Sequence, residues 1–231
     1  MKLSAIADKV LSLIFPERCL FCGDIADDKY ICAKCGSEYK RIALPVCSVC
    51  GLGRNECRCF SGLLFDRTVA PFYYEGRARE DILKFKYRGR HEYGRYFAHC
   101  ISLTVNEQYS GICFDAVTSV PAFKNGSEDF FDHAGYLGRA VAKHIKAVFD
   151  GGLIEKTNER VKQHTLKFEQ RFENVRGLYA GRGNAEYKSV LLIDDISTTG
   201  ATFSECARVL KASGAEKVYC AAAAFTPHRV F

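Results

Sequence analysis

The segment Val190-Leu-Leu-Ile-Asp-Asp-Ile-Ser-Thr-Thr-Gly-Ala-Thr202 limits the fold of this 231-residue chain more than any other stretch. Four branched apolar residues in a row, Val190–Ile193, predict a central strand buried on both faces. Asp194 and Asp195 follow at its carboxyl end, where α/β sheets bind ligands. Ser197, Thr198, Thr199, Gly200, Ala201 and Thr202 then lead into a helix over Ala201–Ser213, closed by Gly214. Lys217–Ala224 reads as a further strand. Strand, helix and strand in that order predict a parallel βαβ unit, and hence an α/β domain. Hydroxyls and free backbone N–H groups at a helix N-terminus attract an anion. Gly200 lets the backbone approach it closely. Two adjacent carboxylates can accept hydrogen bonds from a pair of vicinal hydroxyls. The combination suits a ribose 5-phosphate, with the acids on the sugar and the loop on the phosphate. A strand–turn–helix with a capping threonine is the bland alternative, but it leaves two acids at the end of a buried strand without a reason.

The rest of the chain supplies elements for the same class. Thr68–Tyr74 is β-branched and aromatic and reads as a strand. Arg77–Val105 is helical, broken or bent near Gly89 and Gly94. Asp115–Val120 reads as a buried strand ended by Pro121. Ala134–Phe149 has helical periodicity, stopped by Gly151-Gly152. The stretch 155–188 is polar and basic and is expected to contain a loop. Leu3, Ile6, Val10 and Ile14 share one face of a short helix that Pro16 ends. Composition changes after Gly62, which divides the chain into a small module, 1–62, and a main domain, 63–231.

Eight of the twelve cysteines lie between Cys19 and Cys59. Cys100, Cys113, Cys206 and Cys220 sit among apolar neighbours and read as buried small hydrophobes. Three clustered pairs share one form: Cys19-Leu-Phe-Cys22-Gly23, Cys32-Ala-Lys-Cys35-Gly36 and Cys47-Ser-Val-Cys50-Gly51. Cys57-Arg-Cys59 is tighter and lacks the glycine. Two cysteines three apart on a tight turn bring both sulfurs to one tetrahedral metal, so four pairs can supply two Cys₄ zinc sites. Sequential pairing, a cross-braced arrangement and a single occupied site all remain open, with an iron–sulfur cluster as a further alternative. In each case the metal's role is to fold a piece too small to fold unaided.

No apolar run is long enough to span a bilayer. Asp8 and Lys9 interrupt the N-terminal apolar residues and no small-residue cleavage site follows, so no export signal is expected. A cytoplasmic, reducing location follows, in which clustered thiols call for metal rather than disulfides.

The formal net charge is +6. Each Cys₄ zinc site carries about −2, so two of them would lower that to about +2. General basicity is therefore weak evidence for nucleic acid, and local clusters matter more. From Arg77 to Arg95 there are seven basic and three acidic residues, with Phe85, Tyr87, Tyr93, Tyr96 and Phe97 interleaved. Lys84, Lys86, Arg88 and Arg90 are candidates for contact with single-stranded nucleic acid. The competing reading is an amphipathic helix with a solvated basic face. Arg160, Lys162, His164, Lys167, Arg171 and Arg176 form a second basic stretch, suited either to a lid that excludes water or to a solvated loop. The six histidines form no metal-ligand spacing.

The Val190–Thr202 segment closely resembles the phosphoribosyl pyrophosphate (PRPP) motif of type I phosphoribosyltransferases. That resemblance implies a five-stranded parallel core with a hood and a Mg²⁺–PRPP complex. A cysteine-knuckle module ahead of such a domain resembles the competence protein F (ComF) family. Leu83-Lys-Phe-Lys-Tyr-Arg-Gly-Arg90, Val120-Pro121-Ala-Phe-Lys124 and the segment Gln163 to Val175 are similar to further stretches of that family.

The resemblance implies that Asp194 and Asp195 are the catalytic pair and hold the ribose. Ser197, Thr198, Thr199, Gly200, Ala201 and Thr202 would hold the 5′-phosphate, and Lys124 would lie in the pyrophosphate loop. Asp129-Phe130-Phe131-Asp132-His133 departs from the family's Arg-Gly-Phe-Asn-Gln, with an acid where an arginine is usual. The implied activity is Mg²⁺-dependent phosphoribosyl transfer. The alternative implied role is a single-stranded-DNA-binding competence factor working with a DNA-uptake helicase, or a regulator that senses PRPP.

Overall fold

The structure, a computed structural model, describes residues 16–53, 57, 62–122, 130–157, 175–182 and 186–227. The expected N-terminal helix falls outside them. Among the described residues no helix is long and apolar enough to cross a membrane.

The centre of the molecule is β7 (Ser189–Ser197), paired in parallel with β8 (Lys217–Phe225) on one side and β3 (Ala116–Ser119) on the other. The outer positions are taken by β4 (Val148–Phe149), beside β3, and by β1 (Arg67–Val69) with β2 (Phe72–Tyr73), both beside β8. The order β1-β8-β7-β3-β4 therefore spans five positions, as the resemblance implies. All these pairs are parallel, so the connections cross over through helices. The expected strand Thr68–Tyr74 is real but interrupted: Ala70 and Pro71 stand between its two pieces, and proline has no N–H to donate to a ladder.

Alternation along β7 sorts its side chains to two cores. Val190 and Leu192 face α5 (Ala201–Ala212), packing with Phe203, Cys206 and Leu210. Leu191 and Ile193 face the other layer, built from α2 (Gly76–Tyr87), α3 (Tyr93–Gln108) and α4 (His133–Ile145). A short helix, α1 (Ala33–Ser37), lies in the cysteine-rich segment. β5 (Ile154–Lys156) and β6 (Tyr179–Gly181) form a separate antiparallel pair.

Three readings change. The helical stretch 77–105 breaks at Gly89, which has φ +64°, but continues through Gly94. Gly94 is instead a point of close approach: a Cβ there would lie 2.6 Å from the Tyr136 ring and 2.7 Å from Phe85. The helix expected over 134–149 ends at Ile145, where Lys146 turns left-handed at φ 59°, and Val148–Phe149 joins the sheet. Cys100, Cys206 and Cys220 are buried as expected, but Cys113 is exposed. It stands between α3 and β3, clear of both cores.

The cysteine-rich segment packs on the α/β core. Phe21 lies 4.4 Å from the Tyr93 ring and 5.4 Å from Tyr96. Tyr39 donates its hydroxyl to Asp81 at 2.8 Å, and Asp81, fully buried on α2, also receives Arg77 and Lys84. Burial, with the Asp81 charge beside it, pushes the Tyr39 phenol far above its usual range. A buried carboxylate needs such partners, since an unpaired one is strongly destabilising.

Gly94→Ala is expected to destabilise the fold by about 1–3 kcal/mol, the usual cost of overpacking. The midpoint of denaturant unfolding measures this, and an unchanged midpoint would contradict the packing at this crossing.

Candidate functional site

β7 and β3 end on the same side of the sheet, and α2, α4 and the β5–β6 pair approach that end. Between them lies a cavity of about 450 Å³. It is lined by Asp194, Asp195, Ile196, Thr198 and Thr202 from β7 and the start of α5, and by Val120, Pro121 and Ala122 beyond β3. Tyr74 and Lys86 come from the α2 side, His133 and Ala134 from the start of α4, and Lys156 and Tyr179 from β5 and β6. This volume lies in the range of small-molecule sites.

Asp194 turns back on its own chain, accepting the Asp195 N–H at 2.8 Å. Burial, reinforced by the neighbouring Asp195 charge, pushes the Asp194 carboxyl well above the usual carboxylate range. Asp195 is 7% exposed and is met by Lys86, whose Nζ lies 2.8 Å from Oδ2. Burial works against the Lys86 charge. The attraction of Asp195, with Asp194 behind it, outweighs that and holds its pKa above the ordinary lysine value. The site is thus a pair of adjacent acids with one cation fixed against it.

His133 follows the N-cap Asp132, whose carboxylate accepts the Gly135 N–H at 2.9 Å. Its Nε2 is 3.1 Å from the Phe85 carbonyl. Burial lowers its pKa, with Asp195 opposing and Lys86 assisting, so the neutral ring is favoured near neutral pH.

Gly200 caps α5 in the left-handed region at φ 77°, with no side-chain cap of its own. Thr199 Oγ1 accepts the Ala201 N–H at 3.3 Å. Helix dipole and N–H groups make this turn favourable to an anion. The sequence-predicted loop residues divide here. Thr198 and Thr202 line the large cavity. Ser197, Thr199 and Gly200, together with Thr198, line a smaller one of about 30 Å³ on the opposite side of the loop. Ala201 is buried.

The four nucleic-acid candidates are also divided. Lys84 pairs with buried Asp81 and Lys86 with Asp195, so neither presents a free charge to solvent. Arg88 is exposed. Arg90 is exposed, bonds to Glu92 and lies 4.7 Å from the Tyr93 ring centre. Lys124, Asp129 and the basic residues 160–171 lie outside the described residues. Tyr74, from the expected strand Thr68–Tyr74, and His133, Lys156 and Tyr179, from polar or departing stretches, join the site with no sequence signal that they meet.

The cysteines gather as sequential pairing requires. Sγ atoms of Cys19, Cys22, Cys32 and Cys35 lie within 4.8 Å of one another, as do those of Cys47, Cys50 and Cys57. Cys59 lies outside the described residues. A tetrahedral Zn–S bond of about 2.3 Å gives an S···S edge of about 3.8 Å. Cys22 and Cys32 stand 3.6 Å apart, and Cys50 and Cys57 3.7 Å. Burial opposes the Cys19 thiolate, but backbone hydrogen bonds from Cys32, Cys22 and Phe21 outweigh it and lower its pKa to about 7. Backbone N–H groups also approach sulfur at Cys32, from Cys35, and at Cys47, from Val49, each at 3.4 Å. The donor sets fit structural zinc. The cross-braced arrangement does not fit, because the first four cysteines close on each other.

Comparison with known proteins agrees with these features. Residues 10–62 match the double zinc ribbon domain family. Competence protein ComFC of Bacillus subtilis is 27% identical over 81% of this chain and 80% of its own length. Competence protein F of Haemophilus influenzae is 22% identical over 88% of this chain and 95% of its own. DNA utilization protein YhgH of Escherichia coli K12 is 24% identical over 83% and 82%.

Among solved structures, the glutamine PRPP amidotransferase of B. subtilis is 17% identical. It covers 57% of this chain and 26% of that one, with a TM-score of 0.37. Adenine phosphoribosyltransferase of Leishmania tarentolae is 17% identical over 52% and 53%, with a TM-score of 0.32. At these scores the fold assignment rests on the sheet order and on the loop that follows β7. This chain is thus similar over most of its length to proteins named ComFC, competence protein F and YhgH, with a double zinc ribbon ahead of a parallel α/β core.

Proposed function

We propose that the chain binds PRPP across the carboxyl end of β7 and transfers its phosphoribosyl group. The observation that carries this reading is the meeting of the acid pair, Thr198, Thr202 and the Val120–Ala122 turn around one cavity of about 450 Å³. Asp194 and Asp195 accept hydrogen bonds from the ribose hydroxyls. The Thr198–Thr202 turn takes the 5′-phosphate, and the turn beyond β3 lies where the pyrophosphate extends. Mg²⁺, when bound with PRPP, neutralises the pyrophosphate, and vicinal carboxylates beside sugar hydroxyls are compatible with it.

In the transfer, the C1–O bond breaks and its electron pair leaves on pyrophosphate. A nitrogen lone pair of the acceptor forms the new bond to C1, and the nitrogen then gives its proton to water. Positive charge develops on the sugar, so the fixed carboxylates act electrostatically. A second cavity of about 500 Å³ shares Pro121, Ala122 and Lys156 with the first and offers room for an acceptor.

A second reading is supported by exposed groups at the end of α2. Tyr87 is 74% exposed, and Arg88 and Arg90 are exposed beside it. An exposed aromatic among cations suits single-stranded nucleic acid. Relatives named for competence and DNA utilization favour a role in handling DNA, with PRPP as ligand.

Asp194→Asn with Asp195→Asn should weaken Mg²⁺-dependent PRPP binding by roughly 100-fold or more, since hydrogen bonds to charged groups contribute about 1.5–3 kcal/mol each. Calorimetric titration measures it, and unchanged affinity would reject the site.

Lys86→Met removes the cation paired with Asp195, whose charge also opposes the upward shift of Asp194. The Asp194 carboxyl pKa should rise further, and PRPP binding should fail at a higher pH than in the unaltered protein as pH is lowered. Affinity measured against pH tests this, and an unshifted acid limb would count against Lys86.

For the second reading, Arg88→Ala with Arg90→Ala should make single-strand binding less salt-sensitive, the slope falling by about 0.7 for each phosphate no longer neutralised. Anisotropy of a labelled oligonucleotide at several salt concentrations measures it. An unchanged slope would remove this surface.

A further inference from the structure

The second cysteine cluster and the phosphate loop are neighbours. Cys50 and Leu52 share the small cavity of about 30 Å³ with Ser197–Gly200. Thr68 and Thr226 line the same space, and the Oγ1 of each is buried without a hydrogen-bond partner among the described residues. The knuckle is fastened to this wall through its backbone. Thr68 donates its N–H to Val49 O at 2.9 Å. A Cβ on Gly51 would lie 2.2 Å from Thr68 O and 2.9 Å from the Phe225 ring, so only glycine allows this approach. The loop is fastened to the same wall: Thr226 donates its N–H to Ser197 O at 3.0 Å, and a Cβ on Gly200 would lie 3.3 Å from the Phe65 ring. The first cluster packs elsewhere, with Leu20 and Phe21 against α3 and Arg90.

A cysteine knuckle has two states, ordered with metal and disordered without it. When disordered it cannot hold Thr68, and the back of the phosphate loop loses its support. We infer that the Cys47–Cys57 cluster and the Ser197–Gly200 loop are thermodynamically linked. Zinc on the cluster stiffens the loop for an anion, and an anion on the loop tightens the cluster's hold on zinc. The two effects must be equal in magnitude, because linkage between bound ligands is reciprocal. This inference rests on reading the loop as a phosphate site and the cluster as zinc ligands.

The test uses the full zinc-loaded chain with ribose 5-phosphate as probe. Zinc release to a chromophoric chelator is followed with and without a saturating concentration of the probe, and probe affinity is measured separately by calorimetry. The linkage predicts that one release phase slows by about 5-fold or more. Cys50→Ser should remove that phase and weaken probe binding. Cys22→Ser should remove the other phase and leave the response of the first intact. Should Cys50→Ser fail to fold, the release measurement on the unaltered protein still decides. Probe binding with both release phases unchanged overturns the linkage alone. Absence of probe binding overturns the phosphate-site reading, and the linkage with it.

Discussion

Two carboxylates on adjacent residues at the end of a buried strand repel each other and lose hydration, so they require a cation that the strand cannot supply. Lys86 supplies it, 2.8 Å from Asp195, from a helix far away in sequence. Much of the architecture serves to hold that helix over the sheet. Phe85, beside Lys86, is buried against Phe97, Phe131 and His133. One turn earlier, buried Asp81 joins Arg77, Lys84 and the hydroxyl of Tyr39. Tyr39 belongs to the cysteine-rich segment, so a chain of contacts runs from the first knuckle through α2 to the acid pair. Breaking one partner of such a buried group is costly, because the remaining charge has no water to turn to.

The cysteine-rich segment therefore does more than cap the chain. Its first cluster supports α2 and α3, through Phe21 against Tyr93 and Tyr96. Its second cluster lies behind the turn at Gly200. A small metal-closed module has little core of its own. Here its aromatic and apolar side chains, such as Tyr30, Tyr39 and Leu52, complete the two cores on either side of the sheet.

The central strand, the helix after it and the partner strand were legible because their apolar runs are long and their turn residues specific. The structure lengthens the strands to Ser189–Ser197 and Lys217–Phe225 and ends the helix one residue earlier, as Ala201–Ala212. The spacing of the cysteine pairs likewise foretold which sulfurs could meet, and the structure chose the sequential grouping for the first four. Val148–Phe149 was not legible as a strand. Two residues carry no period, and the left-handed turn at Lys146 that separates them from the helix has no glycine to announce it. Gly94 misled for the opposite reason, since a glycine needed for a close helix crossing looks like one that breaks a helix.

The sequence by itself determined the parallel α/β core, the acid pair at the end of its central strand, the hydroxyl-rich turn after it and the metal-binding character of the cysteines. Each depends on neighbours along the chain, through periodicity, turn chemistry or chelate spacing. Only the tertiary structure decided what Lys84 and Lys86 do. In sequence they belong to a basic run with Arg88 and Arg90. In space one meets Asp81, the other meets Asp195, and the arginines stay exposed. It also decided that His133, Lys156 and Tyr179 share the cavity and that the second cysteine knuckle stands beside the turn at Gly200. Those facts follow from which face of each helix is buried against the sheet, and a charge in a sequence does not say which partner it will find.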